Sequence, residues 1–273
     1  MSGPVASGLG RWFPSAFTKA SAAFHGVAAV TLAWDSSLFP FVVSGLVANH
    51  MILSTVGLVP RGTLLGPNIT RLPAAAAARG QVALTIDDGP DAAVTPAVLE
   101  ILDHYKVRAT FFAIGSQILA EPDIAREIVR RGHGLENHSA THPYHFSLLG
   151  VRGMTNEVAN GQKVIREVTG FESRFFRAPA GLRNPLLQPV LSSMGLRLAS
   201  WTRRGFDTVE RDPTRVHRRL LDGLAAGDII LLHDGAAART QSGQPVILEV
   251  LPSVLDAFAA RGFSAVTLGE AFS

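Results

Sequence analysis

Beyond residue 80 this 273-residue chain alternates short apolar runs with amphipathic stretches, and that alternation limits its fold more than anything else in it. The runs are Val82–Ile86, Ala109–Ile114, Phe175–Phe176, Leu196–Trp201, Ile229–Leu232 and Ala265–Leu268. Each is too short for a buried helix and reads as a strand. Between them lie helical patterns: Thr95–His104, Pro122–Arg131, Asn156–Val168, Pro185–Met194, Pro213–Ala226 and Pro245–Ala260. Thr95 is placed as an N-cap with Pro96 at the first helical position. Gly132, Gly170, Gly195, Gly227 and Gly262 each follow a pattern where a helix would stop. Strand then helix, repeated about six or seven times, predicts an α/β fold with a parallel sheet or barrel. In that architecture functional side chains gather at the C-terminal ends of the strands. No internal repeat is visible.

The first 75 residues differ. The chain is 47% hydrophobic and only 17% charged, with mean hydropathy +0.23, which is apolar for a soluble protein and points to membrane contact. Two apolar stretches, Ala20–Trp34 and Leu38–Leu58, account for much of this. The second has about the ~20 residues that a transmembrane helix needs, though Asn49 and His50 interrupt it. The first carries His25 and is long enough only if Phe17–Lys19 join it, with Lys19 snorkelling to the interface. Residues 1–75 therefore read as an apolar helical hairpin and 76–273 as the α/β domain, with Ala74–Gly80 as linker. The stretches lie too deep for a cleavable signal peptide. The alternative is a hairpin packed on the domain without a membrane. For a spanning hairpin, Arg11 and Lys19 flank one end and Arg61 and Arg71 the other, while the turn at Asp35-Ser36-Ser37 carries no positive charge. The positive-inside rule then places both ends and the α/β domain in the cytoplasm.

There is no cysteine, so thiolate metal sites are excluded and any metal must sit on His, Asp or Glu. The net charge is only +3, and no basic block with interleaved aromatics appears, which argues against nucleic acid as a partner.

Several polar clusters follow directly on apolar runs. Asp87-Asp88-Gly89-Pro90 follows the first. Adjacent carboxylates on an extended backbone point to opposite faces, so one would bind a metal and the other take a proton. The same residues also suit a solvated turn. His138 and His142 are four apart, which on a helical turn puts both imidazoles on one face. Two imidazoles and one carboxylate leave coordination positions open, as catalytic sites do. Glu136 and Asn137 are near enough to support them, and His133 and His145 read as surface residues. Arg177, before Ala178-Pro179, would hold a carboxylate ionised, or else form a surface ion pair. Trp201 would wall a sugar-sized pocket and Asp207 orient an imidazole; otherwise they are a core Trp and a turn Asp. The apolar run Ile229–Leu232 delivers His233 to the same rim. Together these are the parts of a metal-assisted hydrolase.

In order and spacing, T-I-D-D-G, H-S-x-x-H, R-x-P-x-G, a Trp–Asp segment and L-L-H resemble the polysaccharide deacetylase family, also called the NodB-homology domain or carbohydrate esterase family four. The resemblance covers roughly residues 80 to 270. It implies an irregular (β/α) barrel of about seven parallel strands, here preceded by the apolar hairpin. It implies Asp87 as catalytic base, Asp88, His138 and His142 as metal ligands, Arg177 as tether of Asp87, and His233 as catalytic acid tuned by Asp207. Trp201 and Leu231 would line the acyl pocket, and a backbone N–H near Ala180 would stabilise the oxyanion. The cofactor would be a divalent metal, zinc in first place, with cobalt, nickel or manganese as alternatives. Two departures stand out: Ile86 replaces the usual Phe, and the Trp–Asp segment is Arg-rich with altered spacing. The activity implied is removal of an N-acyl group, N-acetyl in first place, from an amino sugar in a glycan or glycolipid. The alternatives are deformylation or deacetylation of a polyprenyl-phosphate-linked sugar, and a non-catalytic carbohydrate-binding relative. With the hairpin anchored through residues 17–58, the expected location is a bacterial inner membrane.

Overall fold

The computed structural model describes residues 12–273; Arg11, counted above among the flanking charges, lies outside them. Two helices come first, α1 (Ala16–Trp34) and α2 (Phe39–Gly57), joined by a 3-10 turn at Ser36–Leu38. The first reaches back to take in Phe17–Lys19, capped by the Ser15 hydroxyl, which accepts from the Thr18 N–H. Among the described residues one helix, Ser36–Gly57, is long and apolar enough to cross a membrane, and none of its most apolar window is buried. The residues that interrupt the apolar stretches find partners inside the hairpin. Asn49 Nδ2 donates to Ser21 Oγ at 2.9 Å, and the His25 and His50 rings stack edge to face at 5.1 Å.

The rest follows the expected alternation: α3 (Ala74–Ala78), β1 (Gln81–Asp87), α4 (Thr95–His104), β2 (Thr110–Ala113), α5 (Gly115–Ala120), α6 (Pro122–Arg130), β3 (Gly134–Asn137), α7 (Val151–Thr169), β4 (Phe175–Phe176), α8 (Leu187–Ser193), β5 (Arg197–Leu198), β6 (Arg203–Arg204), α9 (Pro213–Leu221), β7 (Ile229–His233), α10 (Val246–Ala260), β8 (Ser264–Ala265) and α11 (Leu268–Ala271). Seven parallel strands in the order β5-β4-β3-β2-β1-β7-β6 form a curled half-barrel, with β8 added at the start of β1. Helices surround it, as the irregular (β/α) barrel reading requires.

Strand alternation sorts the side chains. Val82, Leu84, Ile86, Ile230 and Leu232 face outward and pack with Val98, Leu102, Val250 and Val254 of α4 and α10. Each such aliphatic buried is worth about 1.5–3 kcal/mol. Ala83, Ile229 and Leu231 face inward with Phe112 and Trp201. The inward set continues through Thr85 to Asp87, at the upper end of β1. The register pairs Asp87 with both Phe112 and His233, and Asn137 with Phe176. The strands therefore deliver Asp87, His233, His138 and Arg177 at one level.

Two strands were not expected, β3 and β6, because both are polar: Gly-Leu-Glu-Asn and Arg-Arg. β3 is buried nonetheless, since its polar side chains are hydrogen-bonded. Glu136 Oε2 accepts the N–H groups of Arg174 and Phe175 at 2.8 Å each, and Asn137 Nδ2 donates to the Val158 carbonyl at 2.8 Å.

Residues 74–80, expected as a linker, are not one. Ala74–Ala78 is helical, and Ala76 is buried with Leu72, Ala83 and Leu268 at the N-terminal end of the barrel. The preceding segment spans from the β5 side to the β6–β7 side. Ile69 N–H donates to the Leu198 carbonyl and the Ser200 N–H donates to Ile69, while Leu72 N–H donates to Gly227. This covers polar edges that would otherwise be open. Arg61 and Arg71, expected as charges flanking the hairpin, are engaged in the same docking. Arg61 donates to the Thr202 carbonyl at 2.8 Å, and Arg71 pairs with buried Asp228 at 2.9 Å.

Candidate active site

A cavity of about 320 Å³ opens at the C-terminal ends of the strands, lined by Asp87, Asp88, His138, His142, Ala180, Trp201, Leu231 and His233. Arg177 and Asp207 stand behind it, Arg177 bonded to Asp87 and His138 and Asp207 to His233.

Asp87 ends β1. Asp88 then takes φ +77, which turns its carboxylate back toward the site. The two carboxylates therefore do not diverge as an extended backbone would make them. His138 Nε2 lies 3.8 Å from Asp87 Oδ2 and 3.3 Å from Asp88 Oδ1. The turn depends on close packing: a Cβ on Gly89 would overlap the Asp234 carboxylate, and one on Gly235 the Asp88 carbonyl.

His138 and His142 are not on a helical turn. They sit on the loop after β3, where Ser139 (φ +69) and His142 (φ +52) adopt left-handed backbone. Ser139 N–H donates to Asn137 Oδ1 at 2.8 Å, and His142 N–H donates to Ser139 Oγ at 2.9 Å. These bonds hold a tight loop that brings the ring centroids to 4.8 Å. His138 Nδ1 donates to the Arg177 carbonyl at 2.8 Å, because a carbonyl only accepts. The Nε2 lone pair is thereby aimed at the site. Asn137 supports the loop as expected, but Glu136 does not: its carboxylate is turned to Arg174 and Phe175, and burial pushes its pKa up to about 8.

Asp88, His138 and His142 present one carboxylate oxygen and two imidazole nitrogens within 4.8 Å of one another. Asp88 Oδ1 is buried without a hydrogen-bond partner, 3.3 and 3.5 Å from the two Nε2 atoms. Burial opposes ionisation of Asp88, but His138, His233 and His142 outweigh it and hold the carboxyl below its usual range. A buried carboxylate oxygen converging with two imidazole nitrogens suits a divalent cation held by these three groups.

Arg177 is 1% exposed and is bonded throughout. Nη1 donates to Asp87 Oδ1 at 2.5 Å and to Thr85 Oγ1 at 2.9 Å, Nη2 to the Ser200 carbonyl at 2.8 Å, and Nε to the Ala199 carbonyl at 3.3 Å. Its guanidinium lies over the Phe112 ring at 4.0 Å. This is a charge-assisted network in a buried interior, not a surface pair, and it fixes the Asp87 carboxylate in position.

Opposite stands His233. Asp207 Oδ1 accepts from its Nδ1 at 2.9 Å, and Oδ2 accepts from its backbone N–H at 2.7 Å. Burial alone would lower the His233 pKa. Asp207, with Asp87 and Asp88 beyond, overrides this and holds it at about 9. His233 is thus an imidazolium at neutral pH, with Nε2 free toward the cavity. Trp201 and Leu231 form apolar wall, and Ala180, at φ +53, turns its backbone along the rim beside Gly181.

Sequence reasoning missed Asp234. It is fully buried, its Oδ2 accepts from Thr95 Oγ1 at 2.5 Å, and burial raises its pKa to about 7. Thr95 is accordingly inside α4 rather than capping it; its hydroxyl accepts the Asp91 N–H and ties the helix to the rim. Nothing in the sequence separates Asp234 from an ordinary turn Asp. Arg204 also reaches the cavity, and the Arg-rich departure at Trp201–Asp207 was its only signal. His133, expected on the surface, is buried, and its Nδ1 accepts the Ala109 N–H at 3.1 Å. His145 is exposed as expected.

Comparison with known proteins finds one family. The polysaccharide deacetylase family model matches residues 75–199. A peptidoglycan-N-acetylglucosamine deacetylase of Bacillus cereus is 30% identical over 191 residues, covering 69% of this chain and 86% of the relative. A chitooligosaccharide deacetylase of Azorhizobium caulinodans is 34% identical over 196 residues, covering 68% and 91%. The solved family 4 carbohydrate esterase from Streptomyces lividans, in complex with acetate, superposes with a TM-score of 0.61 at 30% identity, covering 68% of this chain and 91% of the esterase.

Proposed function

Because this chain belongs to the polysaccharide deacetylase family, whose enzymes hydrolyse amide bonds, we propose that it removes an N-acyl group, N-acetyl in first place, from an amino sugar of a glycan or glycolipid. One observation carries the reading: an arginine-fixed carboxylate and an aspartate-backed imidazolium face each other across a three-ligand group in a single cavity.

In this reading Asp88, His138 and His142 hold a divalent metal, zinc in first place, which when bound supplies a Lewis acid beside the amide oxygen and the attacking water. The remaining steps fall to the chain's own groups. Asp87 accepts a proton from the water as it attacks the acyl carbon. Arg177 holds Asp87 aimed, so that no reorientation is needed at that moment. The Ala180 N–H donates to the developing oxyanion. His233 delivers its Nε2 proton to the leaving amine, which would otherwise depart as an unstable anion. Trp201 and Leu231 enclose the acyl methyl and keep bulk water from the carbonyl.

The test is acyl release from soluble N-acetylhexosamine oligomers and from lipid-linked amino sugars, with zinc and with chelator. Chelator-sensitive release from either supports the reading. Metal-independent release, or binding of oligomers with no release from any substrate, overturns it and favours a carbohydrate-binding role.

A membrane role for residues 1–75, with 76–273 as the catalytic unit, is supported by the exposed apolar surface of the hairpin. Trp34 and Phe41 are 91% and 75% exposed. Its base is joined to the catalytic rim: Arg183 N–H donates to the Gly57 carbonyl, and Ser200 Oγ to Pro60. An active site held this close to a bilayer suits a lipid-linked sugar as substrate. By charge, the domain lies on the cytoplasmic side. An impermeant maleimide added to intact cells is then expected to label Ser36→Cys and spare Ala260→Cys; the reverse pattern overturns the orientation.

A further inference from the structure

The catalytic cavity does not end at Trp201. Trp201 and Arg204 also line a second cleft of about 490 Å³, walled by Pro60, Arg61, Phe206 and Arg219. The two spaces therefore share a wall, and Arg204 stands where they meet.

The charges in this cleft are unequally satisfied. Arg203 is saturated: it pairs with Asp228 at 2.5 Å and donates to the carbonyls of Asp222 and Gly223. Arg219 pairs with Glu210 at 3.2 Å. Arg61 uses one nitrogen on the Thr202 carbonyl and is otherwise exposed. Arg204 has no carboxylate or carbonyl partner among the described residues, and its Nε is buried and unsatisfied. Its guanidinium lies 5.4 Å from the Trp201 ring and 5.1 Å from that of Phe206, and Arg219 lies 5.6 Å from the same Phe206 ring. Phe206 is held at φ +61, a backbone state that phenylalanine rarely adopts. Its ring lies 5.1 and 5.6 Å from the two guanidinium groups.

The acidic groups nearby do not neutralise Arg204. Asp228, Glu210 and Asp207 are each committed to other partners, Asp87 is paired with Arg177, and Asp88 lies against His138 and His142. Asp222, also in the cleft wall, is an exposed carboxylate that makes no ion pair with Arg204. Leaving a partly buried guanidinium without an acceptor is costly, and its planar fork matches a phosphate.

The geometry points to a phosphate-binding subsite, formed by Arg204 with Arg219 and Arg61, that holds a phosphate joined to the sugar whose acyl group lies in the catalytic cavity. Pro60 and Arg61 belong to the base of the hairpin, so the phosphate would sit where the chain leaves for the membrane. For the identity of the sugar the inference rests on the proposed deacetylase reading; for the phosphate it does not.

The test uses the full chain in detergent, freed of metal by chelator so that phosphate cannot bind through a cation. Binding of N-acetylglucosamine 1-phosphate is compared with that of N-acetylglucosamine by calorimetry. The phosphate is expected to tighten binding about 10- to 100-fold, as charge-assisted bonds to one or two arginines would. Arg204→Gln should remove most of that preference, Arg219→Gln part of it, and Arg204→Lys should restore some. Equal binding of the two sugars, or a preference that survives Arg204→Gln, overturns the proposal. So does an Arg204→Gln variant that loses affinity only for phosphatidylglycerol vesicles, because the cleft would then read a lipid headgroup. If no substrate is deacetylated but the Arg204-dependent preference remains, the reaction reading fails and the subsite stands.

Discussion

Asp87→Asn is expected to lower turnover by about 10²–10⁴-fold, the range for loss of a positioned general base, while metal content stays that of the unaltered protein. The separation follows from geometry. Asp87 is tied to Arg177 at 2.5 Å, and its outer oxygen is 3.8 Å from His138 Nε2, whereas the converging donor atoms belong to Asp88, His138 and His142. Asparagine has the same shape, and its carbonyl still accepts from Arg177, so the fold has little reason to change. What is lost is basicity. Measured kcat with metal content by atomic absorption checks it. Near-normal turnover would remove Asp87 from the role of base, and loss of metal along with turnover would make it a ligand instead.

Asp207→Asn is expected to lower turnover by a comparable factor and to move the alkaline limb of the pH profile to lower pH. Both Asp207 oxygens accept from His233, one from Nδ1 and the other from the backbone N–H. An amide has only one accepting end. If its NH₂ faces the backbone N–H, two donors collide. If it faces Nδ1, the imidazole must present a lone pair there and can no longer be an imidazolium. Either arrangement disfavours the charged form. The sign follows: a raised pKa keeps His233 protonated below about 9, and activity is lost as pH rises through that value. Removing Asp207 lowers the pKa, so loss begins at lower pH. Part of the rise comes from Asp87 and Asp88, so a bound cation brings the limb of the unaltered enzyme below that value; the Asp207 share remains. A pH–kcat profile with an unmoved alkaline limb would remove His233 from the role of acid.

The residues of the site were legible because strand ends are local. An apolar run that stops at Asp87 or His233 marks the end of a buried strand, and parallel architecture puts such ends together. The Arg177 tether and the Asp207–His233 pair, implied by family resemblance, are present at hydrogen-bond distance. The helix assumed for His138 and His142 was wrong because an i, i+4 spacing is also met by a loop closed through Ser139 and Asn137 side chains. The divergence assumed for Asp87 and Asp88 failed for a related reason: extended backbone was extrapolated one residue past the strand, into a left-handed turn.

The sequence by itself determined the α/β alternation, the apolar hairpin and the chemical types at the rim, because periodicity and strand-end polarity are properties of neighbours along the chain. Only the tertiary structure decided which acids pair with which bases, that residues 69–76 belong to the barrel, and that Arg204 lacks an acceptor. Those depend on contacts between residues far apart in sequence, such as Arg177 with Asp87 and Ile69 with Leu198. Burial is what gives them consequence: the same arginine beside water would be a weak surface charge, and inside the barrel it sets the direction of the carboxylate that the proposed reaction needs.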